Sequence, residues 1–155
     1  MAETAPRPLA RRAARLGAVQ ALYQMDVAGT DLADVLAECA AGGPVRGLED
    51  LSGKADFEYF QDIVRGVVRE QRNLDPRIDA CLAEGWQLAR LDVTLRAILR
   101  AAAYELVHRR DVPVRVIINE HVDLAHAFFG DDEPRFVNGV LDRLAREVRA
   151  EEFAA

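Results

Sequence analysis

The chain of 155 residues has little of what most enzyme and membrane classes require. It holds two cysteines, Cys39 and Cys81, each inside an apolar helical stretch. That usage points to two buried thiols in a reducing compartment, with a disulfide as the minor alternative. No apolar run approaches the ~18 residues of a membrane span, and the N-terminus lacks the apolar segment of a secretion signal. A cytoplasmic protein without a membrane anchor is therefore expected. Serine and threonine are scarce, and no segment alternates with a period of two between turn signals, which disfavours sheet. There is no G-x-G-x-x-G, no P-loop and no G-x-S-x-G. Of the three histidines, His108, His121 and His126, the last two lie five apart on one helix. They would point about 140° apart and could not share one zinc ion. All three read as solvated polar positions. No catalytic site, metal or cofactor is expected, and the chain reads as a binding protein, not an enzyme.

What is present favours helix. Half the residues are apolar and 30% are charged, with Ala, Leu, Arg, Glu and Val dominant. The length suits one domain, residues 1–155, made of two small bundles packed on each other. Seven helices can be placed. The first runs from Arg7 to Ala28 and stops at Gly29; the second, capped by Thr30 or Asp31, reaches Ala41. Residues 42–54 form a Gly-rich loop. The third helix covers 56–73, and Pro76 opens a short fourth to Ala83. Asp92 caps a fifth to His108, Pro113 opens a sixth to Phe129, and Pro134 opens a seventh to Arg149. Core stripes are clearest in the fifth (Leu95, Ile98, Leu99, Ala102, Leu106) and the seventh (Val137, Val140, Leu141, Leu144, Val148). The bundles would then be residues 1–73 and 74–155.

The net charge of −6 at first argues against a nucleic-acid partner. Its distribution argues otherwise. Residues 1–24 carry Arg7, Arg11, Arg12 and Arg15 against Glu3 alone, a local +3 on a body of −9. On the first helix Ala14, Ala18, Ala21, Leu22 and Met25 should face the core, with Arg11, Arg12 and Arg15 fanned outward. Tyr23 follows Arg12 by eleven residues, at nearly the same azimuth ~16 Å along. Guanidinium groups followed by a ring suit single-stranded RNA, whose phosphates need fixed charge and whose unstacked bases need a surface to lie on. The plain alternative is an ordinary solvated face with Tyr23 at the core edge. On the seventh helix Phe136, Gly139 and Arg143 share an outer flank, where Gly139 would let another backbone approach; Phe136 as a lid on the core edge is the alternative. The row Arg96, Arg100, Tyr104 reads mainly as polar packing between the bundles. Asp131, Asp132 and Glu133 read as a helix cap and solvated turn.

Four stretches taken together resemble the NusB family of transcription antitermination factors: RRAARLGAVQALYQMD (11–26), RLDVTLRAILRAAAYEL (90–106), VPVRVIINEHVDLAHAF (112–128) and RFVNGVLDRLA (135–145). They stand in the family's order and spacing and span nearly the whole chain. The resemblance implies a seven-helix fold of two bundles that binds the boxA element of nascent ribosomal RNA leaders. It also implies a partner, the ribosomal protein NusE, within an RNA polymerase antitermination complex. Carried onto this sequence, the RNA residues are Arg7, Arg11, Arg12, Arg15, Tyr23 and Phe136, joined by Arg143 from the flank described above. The NusE contacts fall at Tyr23 and at the start of the fifth helix, Leu95 and Arg96. Many relatives carry an acid where this chain has Leu95, so the pairing there differs in detail. His121 stands where the family more often has a small residue.

Two rivals come from other classes. One is the RNA-binding module of an RNA cytosine methyltransferase, which needs a further cofactor-binding domain; a longer open reading frame would reveal it. The other is a helical scaffold whose arginine face meets acidic proteins. Monomer and homodimer are both open from the sequence, the latter as a form that hides the RNA face.

Overall fold

In the computed structural model of the protein, residues 7–40 and 56–153 are described; the expected loop 42–54 and the end of the second helix at Ala41 lie outside them. Among the described residues the regular structure is entirely helical. The helices are α1 (Arg7–Ala28), α2 (Leu32–Ala40), α3 (Phe57–Cys81), α4 (Val93–His108), α5 (Val114–Phe128) and α6 (Asp132–Val148), with single 3₁₀ turns at Leu88–Arg90 and Ala150–Glu152. None of them is long and apolar enough to cross a membrane.

The all-α class is as expected, but the count is six among the described residues, not seven. The third and fourth expected helices are one helix of 25 residues with Pro76 inside it. An interior proline removes a ladder hydrogen bond and costs about 3 kcal/mol or more. The opposing gain is visible in the burial. Phe60, Ile63, Val64, Val67 and Leu74 before the proline, and Ile78 and Cys81 after it, are all buried at helical spacing. Breaking the helix at Pro76 would turn Ile78 and Cys81 off that stripe. At α6 the proline is harmless, because Pro134 is the third helical residue and needs no ladder donor there.

Chain termini of the helices follow local chemistry. Gly29 ends α1 in the left-handed region at φ 67°, donating its N–H to Met25 O at 3.0 Å. Asp92 starts α4: its Oδ1 accepts from Thr94 N at 2.8 Å and Leu95 N at 3.2 Å.

By its own contacts the chain divides into residues 1–68 and 69–155. In the first unit, Ala13, Ala14, Ala18 and Ala21 of α1 are fully buried with Val35 of α2 and Phe60, Ile63 and Val64 of α3. In the second, α4, α5 and α6 pack against one another. The expected stripes are buried there, except that Val148 is only half-buried.

The second unit closes around Arg149, which is wholly buried just past the end of α6. Its Nε donates to Leu106 O at 2.7 Å and its Nη2 to Glu105 O at 2.9 Å and Arg109 O at 2.7 Å. Its Nη1 donates to Val112 O at 2.5 Å and to the Glu152 carboxylate at 2.9 Å. Three of those carbonyls belong to the C-terminal end of α4, where the helix dipole is negative; Glu105 O also accepts from Arg109 N and Arg109 O from Val112 N. Beside it lies a second buried polar pair. His121 Nε2 is 3.6 Å from Glu105 Oε2, and Nδ1 is 2.8 Å from Ile117 O. The reading of His121 as a solvated position is thereby corrected: α5 turns it inward onto α4, next to a buried carboxylate that makes a polar ring tolerable there.

Replacing Arg149 with Met should destabilise the protein by about 2 kcal/mol or more, since Leu106 O and Val112 O lose their guanidinium donor and each orphaned buried acceptor costs about 1–3 kcal/mol. Arg149→Lys should recover a minor part, because an ammonium cannot span the same carbonyls. Urea unfolding measures both, and a wild-type midpoint for the Met variant would refute the assignment. Burial, with a smaller contribution from Glu38, raises the Cys39 thiol to about 11. The folded state then keeps a proton that the unfolded chain releases above about pH 8.5. The associated stability is complete below that pH and falls as the pH rises towards 11. Comparing urea midpoints over this range for wild type and Cys39→Ala should show the steeper decline in the wild type.

Candidate nucleic-acid interface

Helix α1 presents its arginines in two different ways. Arg12 is exposed. Arg15, expected to face outward, is only 2% exposed. Its Nη2 donates to Tyr59 OH at 3.2 Å, and its guanidinium carbon lies 5.2 Å from the centre of that ring. Arg11 sits over the same ring at 4.4 Å and pairs with Asp56 at 4.0 Å, which leaves 15% of its side chain exposed. The outward fan of three guanidinium groups is therefore corrected for Arg15 and largely for Arg11. The cause is azimuth: counted from Ala14 at 100° per residue, Leu22 lies at about 80°, Arg11 at about 60° and Arg15 at about 100°. Both arginines belong to the core side, and the ring of Tyr59 from α3 makes their burial affordable through hydrogen bonding and cation–π contact. Arg12 and Tyr23 fall at about 160° and 180° on the same count and face outward together.

Tyr23 is 43% exposed, and Val27, one turn later on the same face, is 57% exposed. Together they leave a small apolar spot in water on an otherwise well-packed helix. The sequence reading included Tyr23 and missed Val27, although the spacing i, i+4 was there to be used. Arg7 is the first residue of α1, and its side chain is outside the described part.

The second unit places the remaining candidates. Phe136 is half-buried on α6 and lines a groove of about 450 Å³ with Trp86, Arg90, Leu95, Asp132 and Glu133. The rings of Trp86 and Phe136 are 6.0 Å apart with planes tilted by 46°. Leu95 is buried at 7% exposure and forms groove wall. Arg96 bends back, donating from Nη1 to Ala89 O at 2.9 Å and Leu91 O at 3.4 Å. Arg143 donates from Nε to Cys81 O at 2.8 Å, satisfying the end of α3, while the residue itself is exposed. Among the described residues, a Cβ on Gly139 would meet nothing nearer than Arg143 Nη2 at 3.9 Å.

The row expected between bundles lies within residues 69–155. Arg100 grips Asp75 with two hydrogen bonds, at 3.0 and 2.9 Å, and buried Tyr104 stacks on His108 at 5.0 Å. Asp131 precedes α6 without a side-chain capping bond. Trp86 and Arg90 escaped the sequence reading, yet a single tryptophan in the polar stretch EGWQ was a usable signal.

Comparison with known proteins bears on this arrangement. The model described as the NusB family matches residues 12–146. The transcription antitermination protein NusB of Rhodopseudomonas palustris strain TIE-1 is 55% identical over 147 residues, which are 93% of this chain and 83% of that one. Its counterpart in Rhizobium rhizogenes strain K84 is 56% identical over 142 residues, covering 91% and 89%. Among solved structures, T. maritima NusB superposes with a TM-score of 0.78 at 33% identity, over 97% of this chain and 99% of that one. A complex of the antitermination factors NusB and NusE with dsRNA contains a chain with a TM-score of 0.74 at 27% identity, covering 89% and 97%. With a family match across most of its length and relatives more than half identical, this chain belongs to the NusB family.

Proposed function

We propose that the chain is a transcription antitermination factor of the cytoplasm that binds the boxA element of nascent ribosomal RNA leaders together with the ribosomal protein NusE, as part of an RNA polymerase antitermination complex. Its work is recognition, with no bond made or broken. The observation that carries this reading is the outward pair of Arg12 and Tyr23 on α1, in a chain whose relatives are antitermination proteins and whose structural neighbours include a NusB–NusE–dsRNA complex.

Arg12, with Arg7 one end nearer the N-terminus, supplies attraction to phosphate, and Tyr23 supplies a ring for a base. Phe136 and Arg143 on α6 contribute a second ring and a second cation. Arg11 and Arg15 take a different part from the one expected: they hold Tyr59 and so fix the course of α1. For NusE we propose Tyr23 with Val27 on α1, and Leu95 and Arg96 at the start of α4. A net charge of −6 repels RNA at a distance, so the protein alone binds weakly, and the partner extends the surface.

Arg12→Glu should weaken binding to boxA RNA about tenfold or more at low salt and flatten its salt dependence, with helicity by circular dichroism unchanged. Affinity equal to wild type would favour a scaffold without an RNA role. Titrating boxA RNA with and without NusE tests the cooperative part, where the expected outcome is tighter binding with the partner. Equal affinities in the two titrations would refute cooperation.

A further inference from the structure

We propose that His121 and Glu105 hold one proton between them as a bridge from α5 to α4, so that the second unit loosens when this proton is withdrawn under mildly alkaline conditions. This device stands apart from the RNA-binding reading and does not depend on it.

The two ring nitrogens of His121 face different neighbours. Nδ1 lies 2.8 Å from Ile117 O, one turn back on α5. A carbonyl oxygen only accepts, so Nδ1 carries its hydrogen there. In a neutral imidazole this leaves Nε2 with a bare lone pair. Nε2 is turned to Glu105 Oε2 at 3.6 Å, and both side chains are wholly buried. A lone pair set against an ionised carboxylate would be two acceptors facing each other away from water, an unfavourable contact. One added proton removes the conflict. Imidazolium against carboxylate and imidazole against carboxylic acid are two forms of that state, and the proton belongs to the pair.

The neighbouring charges leave the proton its role. Among the described residues, Arg149 is the other buried charged group of this unit. It comes from beyond α6, donates to Glu105 O at 2.9 Å, and is matched in charge by the Glu152 carboxylate at 2.9 Å. A guanidinium does not titrate. The side of α6 turned to the core is apolar, with Val137, Val140, Leu141, Leu144 and Ala145 buried. One turn beyond Glu105 on α4, the Arg109 guanidinium pairs with Asp111 at 3.0 Å. On α5 itself Glu120 is half-buried and Asp123 exposed.

Folding is thereby linked to pH on either side of a plateau. In the unfolded chain a glutamate releases its proton near about pH 4.3 and a histidine near about pH 6.5. Between these values the unfolded pair also holds one proton, and pH has no effect through it. Above about pH 6.5 the unfolded pair holds none while the folded pair keeps one, so stability falls as pH rises. Below about pH 4.3 the unfolded pair holds two, and stability falls as pH falls.

Urea unfolding of the full-length protein, followed by circular dichroism from about pH 5 to about pH 8, tests the bridge below the range in which Cys39 titrates. Two variants supply the missing hydrogen without titrating. In Glu105→Gln the amide donates to a neutral His121, and in His121→Gln the amide donates to the carboxylate. Above about pH 6.5 the folded-to-unfolded ratio of the wild type should fall about tenfold more per pH unit than that of either variant. Glu105→Gln should instead lose stability on going from about pH 6.5 down to about pH 5, because its buried neutral histidine gains a proton only on unfolding. Profiles that run parallel in all three proteins above about pH 6.5 would overturn the proposal. Should one variant fail to fold, the other makes the comparison. Should both fail, wild-type refolding near about pH 7.5 in weak buffer with an indicator dye decides. Uptake of about one proton per chain is expected, and none would overturn the bridge.

Discussion

The second unit depends on one buried cation. Arg149 lies beyond the last turn of α6, and its guanidinium gathers the carbonyls at the C-terminal end of α4. Burying an arginine is unfavourable unless its donors are met, and here they are met by four backbone oxygens and one carboxylate. The result joins three places distant in sequence: the end of α4, the entry to α5 through Val112, and the 3₁₀ turn that carries Glu152. That turn returns the favour, because Glu152 also accepts from Val114 N at 3.1 Å, at the first residue of α5.

The first unit uses the same chemistry on a smaller scale. Tyr59 offers both a face and a hydroxyl, and two arginines of α1 are placed against it. Counting arginines in the sequence overstated the outward charge, because a guanidinium can serve the interior when an aromatic ring is available to it. The charge left facing solvent on α1 is smaller, and it sits beside Tyr23 and Val27, not in a broad positive strip. On the function proposed above, a factor with few outward cations would rely more on rings and on its partner.

Much of this was legible in the residues. Apolar spacing gave α4, α5 and α6 nearly to the residue, and Gly29, Asp92 and Pro113 marked boundaries the structure keeps. What escaped has identifiable causes. Pro76 looked like a helix start because the proline rule is local, whereas the burial that overrides it is tertiary. Arg15 looked exposed because its type usually is, although its azimuth beside Leu22 said otherwise. Arg149 stood only as the expected last residue of the final helix, and nothing short of the fold could bring the carbonyls of residues 105–112 to it. His121 looked solvated until Glu105 was seen across from it. Trp86 lay outside every periodic segment, so a reading built on periodicity passed over it.

Asp92 has two neighbourhoods at once. One carboxylate oxygen begins α4 by accepting two amide protons, and the same side chain stands on the border of the groove. Helix initiation and groove composition are therefore not separable by substitution at this position: an asparagine would keep the cap and alter the field, and an alanine would unravel the first turn and reshape the wall that Leu95 provides. A substitution at Asp92 is thus read out twice, once in the start of α4 and once in the groove beside it.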